Sequence, residues 1–135
     1  MTKKKLKPTG KKYFKLTDPI FHQRVHVFIN YSREDYEAWL KKRGVVDESH
    51  WNNQLMAFST EMKSATAPTE WIIYVPNFDW KIQDHGSVVH EVVHTIMKIW
   101  ASNNVPFSLD TQEFVATSVH RLYEDITAKI FNSTL

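Results

Sequence analysis

Two imidazoles four residues apart, His90 and His94, with a carboxylate at Glu91 beside the first, are the side chains of this sequence best suited to chemistry. The pattern His-Glu-x-x-His is the signature of a zinc hydrolase when a helix carries it. At about 100° per residue, four positions bring His94 to within roughly 40° of His90 and one turn along, so both rings can close on one tetrahedral ion. Glu91 stands roughly 100° round the helix, where it is a poor ligand but can reach a water on the ion's open side. That is the position of a general base. In a chance match on a buried helix, the same histidines would only satisfy hydrogen bonds.

The flanks predict the helix that the spacing needs. Val89, Val92, Val93, Ile96 and Trp100 mark one apolar face, widened by Ile99. Asp84 and Ser87 are available as N-caps, and Asn103, Asn104 and Pro106 end the pattern, so the helix should run from about 85 to about 102. On its wheel the histidines fall at the border of the apolar arc, beside the core.

Two histidines do not hold a hydrolytic zinc, so a third protein ligand must come from elsewhere. An extended motif would need glycine at position 97 and histidine at position 100; the sequence has Met97 and Trp100, which removes the metzincin class. Glu113 is the best candidate, 19 residues after His94 in the first turn of the next helix. Antiparallel packing of the two helices would bring it towards the histidines. A capping box from Asp110 to Glu113 explains the same glutamate without a metal. His120 lies two turns further on the same stripe and, like Tyr123, is a candidate to hold an oxyanion; His120 could also replace Glu113 as ligand. His85 is most simply a residue of the helix start.

The remaining elements must frame this helix pair. Tyr13 to Leu16 reads as a short strand, and Arg24 to Tyr31 as a longer one by its alternation. His22 and His26 share the i, i+4 spacing, but in a strand that separates them by about 13 Å, so they are no metal pair. Ser32 caps a short amphipathic helix that Gly44 ends. Asn53 to Met62 alternates as a strand, Lys63 to Pro68 is a loop, and Glu70 to Val75 is a strand apolar on both faces, the two forming a hairpin. The last helix opens at Asp110 and carries Val115, Ala116, Val119, Leu122, Tyr123, Ile126 and Ile130 to about 131. The order β, β, α, β, β, α, α predicts an α+β domain with a small, largely antiparallel sheet of about four strands and three helices.

Composition narrows the classes further. A chain of 135 residues makes one domain. The absence of cysteine excludes disulfides and thiolate sites, so any zinc must use His, Asp or Glu. No apolar run approaches the roughly 18 residues of a membrane span. Pro8-Thr9-Gly10-Lys11-Lys12 follows the first lysines where a signal peptide would be apolar, so the expectation is a cytoplasmic protein. The net charge of +2 hides a split: seven of 17 basic residues lie in the first fifteen positions, and the other ten against all 15 acids leave the body at −5. Residues 1–10 are therefore expected to be a disordered basic arm ahead of a single domain over 11–135, a solubilising tail in preference to a nucleic-acid contact.

Over about 84–124 the chain resembles the gluzincin metallopeptidases, in which the helix after His-Glu-x-x-His supplies a glutamate ligand at similar spacing. The resemblance implies a zincin-like fold, with His90, His94 and Glu113 holding zinc and Glu91 acting as general base. Many gluzincins place an aspartate four residues after the ligand glutamate; here Thr117 stands there, leaving Asp84, Asp110 or a backbone carbonyl to orient the first histidine. The short chain looks more like compact zincin-like proteins of bacteriophage and bacterial genomes, which would act in the host cytoplasm if phage-encoded. The expected function is a zinc metallopeptidase, hydrolysing peptide or protein substrates by a metal-activated water. Substrate would lie extended along the sheet edge formed by Asn53 to Met62. The alternative is a catalytically weak or inactive zincin-like binding protein that engages a host protein or nucleic acid.

Overall fold

The structure is a computed structural model that describes residues 10–45, 57–62 and 68–132. The basic arm up to Thr9, the first part of the expected strand (53–56) and most of the expected loop (63–67) lie outside the described residues. Strand β1 (Lys12–Thr17) turns into β2 (Arg24–Ile29) through a bend held by Asp18. Its buried carboxylate accepts from the backbone N–H groups of Ile20, Phe21 and Gln23 at 2.7–3.1 Å. Helix α1 (Arg33–Lys42) starts where Ser32 Oγ accepts from Asp35 N–H. It ends where Gly44, at φ +68°, lets the backbone turn left-handed. Strands β3 (Phe58–Met62) and β4 (Glu70–Val75) then pair antiparallel, as the hairpin reading expects.

The sheet order is β1-β2-β4-β3. Both outer pairings are antiparallel, but the central one, β2 with β4, is parallel, so the sheet is mixed. Two parallel strands cannot be joined by a tight turn, and α1 lies in the connection between them. The central strands are buried on both faces because each face carries its own core. Phe28, Ile72 and Tyr74 pack with Tyr36 and Leu40 of α1 on one side. Val25, Val27, Ile29, Trp71, Ile73 and Val75 meet two longer helices on the other, α2 (Ile82–Ser102) and α3 (Gln112–Asn132). These run antiparallel: Trp80, just before α2, touches Phe131, and His85 touches Tyr123. None of the helices among the described residues is long and apolar enough to cross a membrane.

Both long helices begin differently from the sequence expectation. Helix α2 starts three residues before the expected 85, because Asp84 caps from inside: its Oδ2 accepts from Asp79 and Lys81 N–H at 2.8 and 3.1 Å. Helix α3 starts after Thr111, whose carbonyl accepts from Val115 N–H and whose hydroxyl bonds Ser108, so Thr111 stands where Asp110 was expected as cap. The apolar face of α2 is also turned. Val88, Val92, Ile96, Ile99 and Trp100 are buried, whereas Val89 and Val93 are each 37% exposed. The wheel is thus rotated by roughly 60° from the arc read in sequence, which carries Glu91 inwards and the two histidines outwards.

Candidate metal centre

That rotation sets the character of the site. His90 and His94 are exposed, while Glu91 between them is only 5% exposed, on the flank of α2 that meets the sheet. The imidazoles stand edge to face, with Nε2 to Nε2 at 3.0 Å, one donating and the other accepting. A carboxylate oxygen of Glu91 and one nitrogen of each histidine all lie within 4.8 Å of one another, the one such group among the described residues. Glu91 Oε2 is buried with no hydrogen-bond partner among them. A buried carboxylate oxygen without a donor is costly, and such an atom calls for an explanation such as an ion or a catalytic duty.

Burial raises the Glu91 carboxyl above its ordinary range, and the charges of His90, His94 and Lys98 pull it back down. Lys98 is the residue that motif reading overlooked. Its ammonium donates to Ser59 O at 2.9 Å and Ser59 Oγ at 3.3 Å, tying α2 to the edge strand β3. Its signal in the sequence was only a lysine one turn after His94.

The donor set suits a divalent ion of the zinc type. Two imidazole nitrogens bound at 2.0–2.1 Å to a tetrahedral zinc are about 3.3 Å apart, so the observed 3.0 Å requires an adjustment of a few tenths of an ångström. The other candidates stand elsewhere. Glu113 is exposed in the first turn of α3 and does not belong to the group of three. His120, also exposed, pairs with Glu124. Tyr123 bonds His85 Nδ1 at 2.7 Å through its hydroxyl, so this pair ties α3 to the start of α2. Asp84 is engaged in capping, Asp110 and Thr117 are exposed, and none of the three is in the cluster. The chain matches no family model, no curated protein and no solved structure.

A second polar cluster occupies the opposite face of the sheet. His26, fully buried, has Glu70 Oε1 at 2.9 Å from Nε2 and the Tyr13 hydroxyl at 2.7 Å from Nδ1. With the carboxylate accepting from Nε2–H, Nδ1 is left to accept from Tyr13. Trp39 of α1 packs its ring against this imidazole. His22 sits exposed in the preceding turn at φ 56°, so it forms no pair with His26.

Proposed function

We propose that this chain is a zinc-dependent peptidase, with His90 and His94 as metal ligands and Glu91 as general base. The observation that carries the reading is the buried Glu91 oxygen, without a hydrogen-bond partner among the described residues, beside two imidazoles at nearly the separation of shared ligands. A zinc ion held there would polarise a peptide carbonyl and acidify a water. Glu113 is the proposed third ligand, since α3 runs back along α2 and carries it in its first turn. The zincin-like reading of the fold is supported by the antiparallel edge strand β3 packed on the motif helix and by the antiparallel helix that follows.

In this mechanism Glu91 accepts a proton as the water oxygen bonds to the carbonyl carbon and the C=O electron pair moves to oxygen. Glu91 returns the proton to the amide nitrogen as the C–N bond breaks, leaving an amine and a carboxylic acid that ionises. Desolvation fits Glu91 for this cycle, because a carboxylate lifted above its ordinary pKa is a stronger base. An extended substrate would pair with the outer edge of β3, whose Ser59 is already linked to α2.

Glu91→Gln tests the assignment. It keeps shape and ligands but cannot take the proton, so zinc content should persist while hydrolysis of labelled casein falls about 10²- to 10⁴-fold. Equal rates in variant and wild type would reject the peptidase reading. One observation favours a second reading: Glu113 lies outside the cluster, and a site short of its third ligand suits a zincin-like binding protein that does not turn over. That protein would serve equally well with Gln at position 91 in any assay of its role.

A further inference from the structure

Besides a metal ion, a protein donor would help hold the oxygen that gains charge as the carbonyl is attacked, and both sequence candidates are engaged with other residues. Tyr123 is bonded to His85 and His120 is paired with Glu124. Lys98 is differently placed. It lies one turn beyond His94, and long helical side chains lean towards the N-terminus, which directs the ammonium back along the helix towards the cluster. Ser59 of the edge strand fixes the ammonium with two acceptors, O and Oγ. An ammonium has three N–H donors, so the two bonds to Ser59, those it makes among the described residues, leave one.

We propose that Lys98 is a catalytic residue of this site: its ammonium, held by Ser59, receives the oxyanion formed from the scissile carbonyl of a peptide lying along β3. The proposal rests on the peptidase reading and adds to it an electrophile of a type that the motif does not specify. An extended peptide pairing with the outer edge of β3 carries its carbonyls past Ser59. Donors fixed before the reaction need no reorganisation when charge develops, which is the condition for strong oxyanion stabilisation. The competing role for this lysine is protection of an edge strand against adventitious pairing. Such a guard would not distinguish a transition state from a ground state.

The test uses the full chain loaded with zinc, fluorescein-labelled casein as substrate, and a phosphonamidate dipeptide as a stable tetrahedral anion. For Lys98→Met the expected result is a kcat lower by about 10²- to 10³-fold with little change in KM, together with a similar loss of phosphonamidate affinity. Zinc content should be unchanged. Lys98→Arg, which keeps the charge and the span, should recover most of both. Ser59→Ala, which removes one of the two acceptors, should cost only a few-fold. Full activity in Lys98→Met while Glu91→Gln is inactive would overturn the role of Lys98 and leave the peptidase reading standing, and so would a loss confined to KM. A misfolded Lys98→Met variant shifts the decision to Lys98→Gln, judged by the same two measurements. A wild-type chain that neither cleaves casein nor binds the phosphonamidate overturns both.

Discussion

The molecule builds two clusters of histidine and glutamate on opposite faces of one sheet, and they are chemically unlike. At His26 every polar atom of the ring is engaged: Glu70 takes one nitrogen, Tyr13 the other, and the imidazole is wholly buried. At His90 and His94 the imidazoles are exposed and, among the described residues, bonded only to each other, while the buried atom, Glu91 Oε2, has no partner among those residues. A satisfied buried cluster fixes structure; a cluster whose buried acceptor lacks a donor is poised for a ligand or a reaction. Burial pushes the two groups in opposite directions, lowering the His26 imidazole and raising the Glu91 carboxyl. In each case the charged form is the one disfavoured.

The sharpest way to break this contrast is to remove the exposed imidazoles. His90→Ala or His94→Ala should abolish stoichiometric zinc, because a site reduced to one imidazole and a carboxylate holds the ion poorly, while thermal stability changes little for an exposed side chain. Elemental analysis of protein purified without a histidine tag measures the first and calorimetry the second. Full zinc occupancy in both variants would reduce the cluster to a surface coincidence.

A smaller effect separates ligand from bystander at Glu113. Glu113→Gln should weaken zinc affinity by about 10- to 100-fold if this side chain joins the histidines on metal binding, as read from competition with a chelator. Unchanged affinity would leave the third position to another group, with His120 the next to test.

The smallest effect belongs to the structural cluster and appears in stability alone. His26→Ala leaves the Tyr13 hydroxyl without its acceptor and Glu70, among the described residues, with Arg24 alone, at a cost of about 1–3 kcal/mol by denaturant unfolding, with zinc binding untouched. The pH dependence has a defined sign. Because burial depresses the folded-state pKa of His26 below the ordinary 6.5, with Glu70 opposing the shift, the unfolded chain binds the proton first. The contribution of His26 is complete above about pH 6.5 and is lost as the pH falls through the folded value. Glu91 has the reverse sign: its contribution is complete below about pH 4.5 and is lost as the pH rises through its elevated folded value. Unfolding midpoints of His26→Ala and wild type that fall in parallel on acidification from about pH 7.5 would rule out the first assignment.

What could be read from the sequence depended on how local its cause was. The motif helix, the Ser32 cap, the Gly44 stop and the β3–β4 pairing arise within a few turns of chain, and each stands in the structure. The facing of α2 was harder, because Val88 and Val92 are no more apolar than Val89 and Val93. The sheet beneath the helix, not its own periodicity, selects which valines are buried. The interior cap by Asp84 shifted the helix start for a related reason, since a carboxylate at the third helical position looks in sequence like a residue before the first. The His26 cluster was out of reach, because its partners Tyr13 and Glu70 lie 13 and 44 residues away. Lys98 was equally hidden, joined to Ser59 across 39 residues.

The parallel seam between β2 and β4 bears on how such a chain assembles. Each half of the sheet is a local hairpin, β1 with β2 and β3 with β4, but Val25 and Trp71 meet across 46 residues. Closing that long loop costs entropy before any contact along the seam offsets it. Either hairpin can form early and reversibly, whereas a two-sided core exists only once the seam has zipped. The edge strand linked to Lys98 belongs to one half, whereas the His26 cluster takes Tyr13 and His26 from one half and Glu70 from the other, so that cluster can be completed only once the seam has formed.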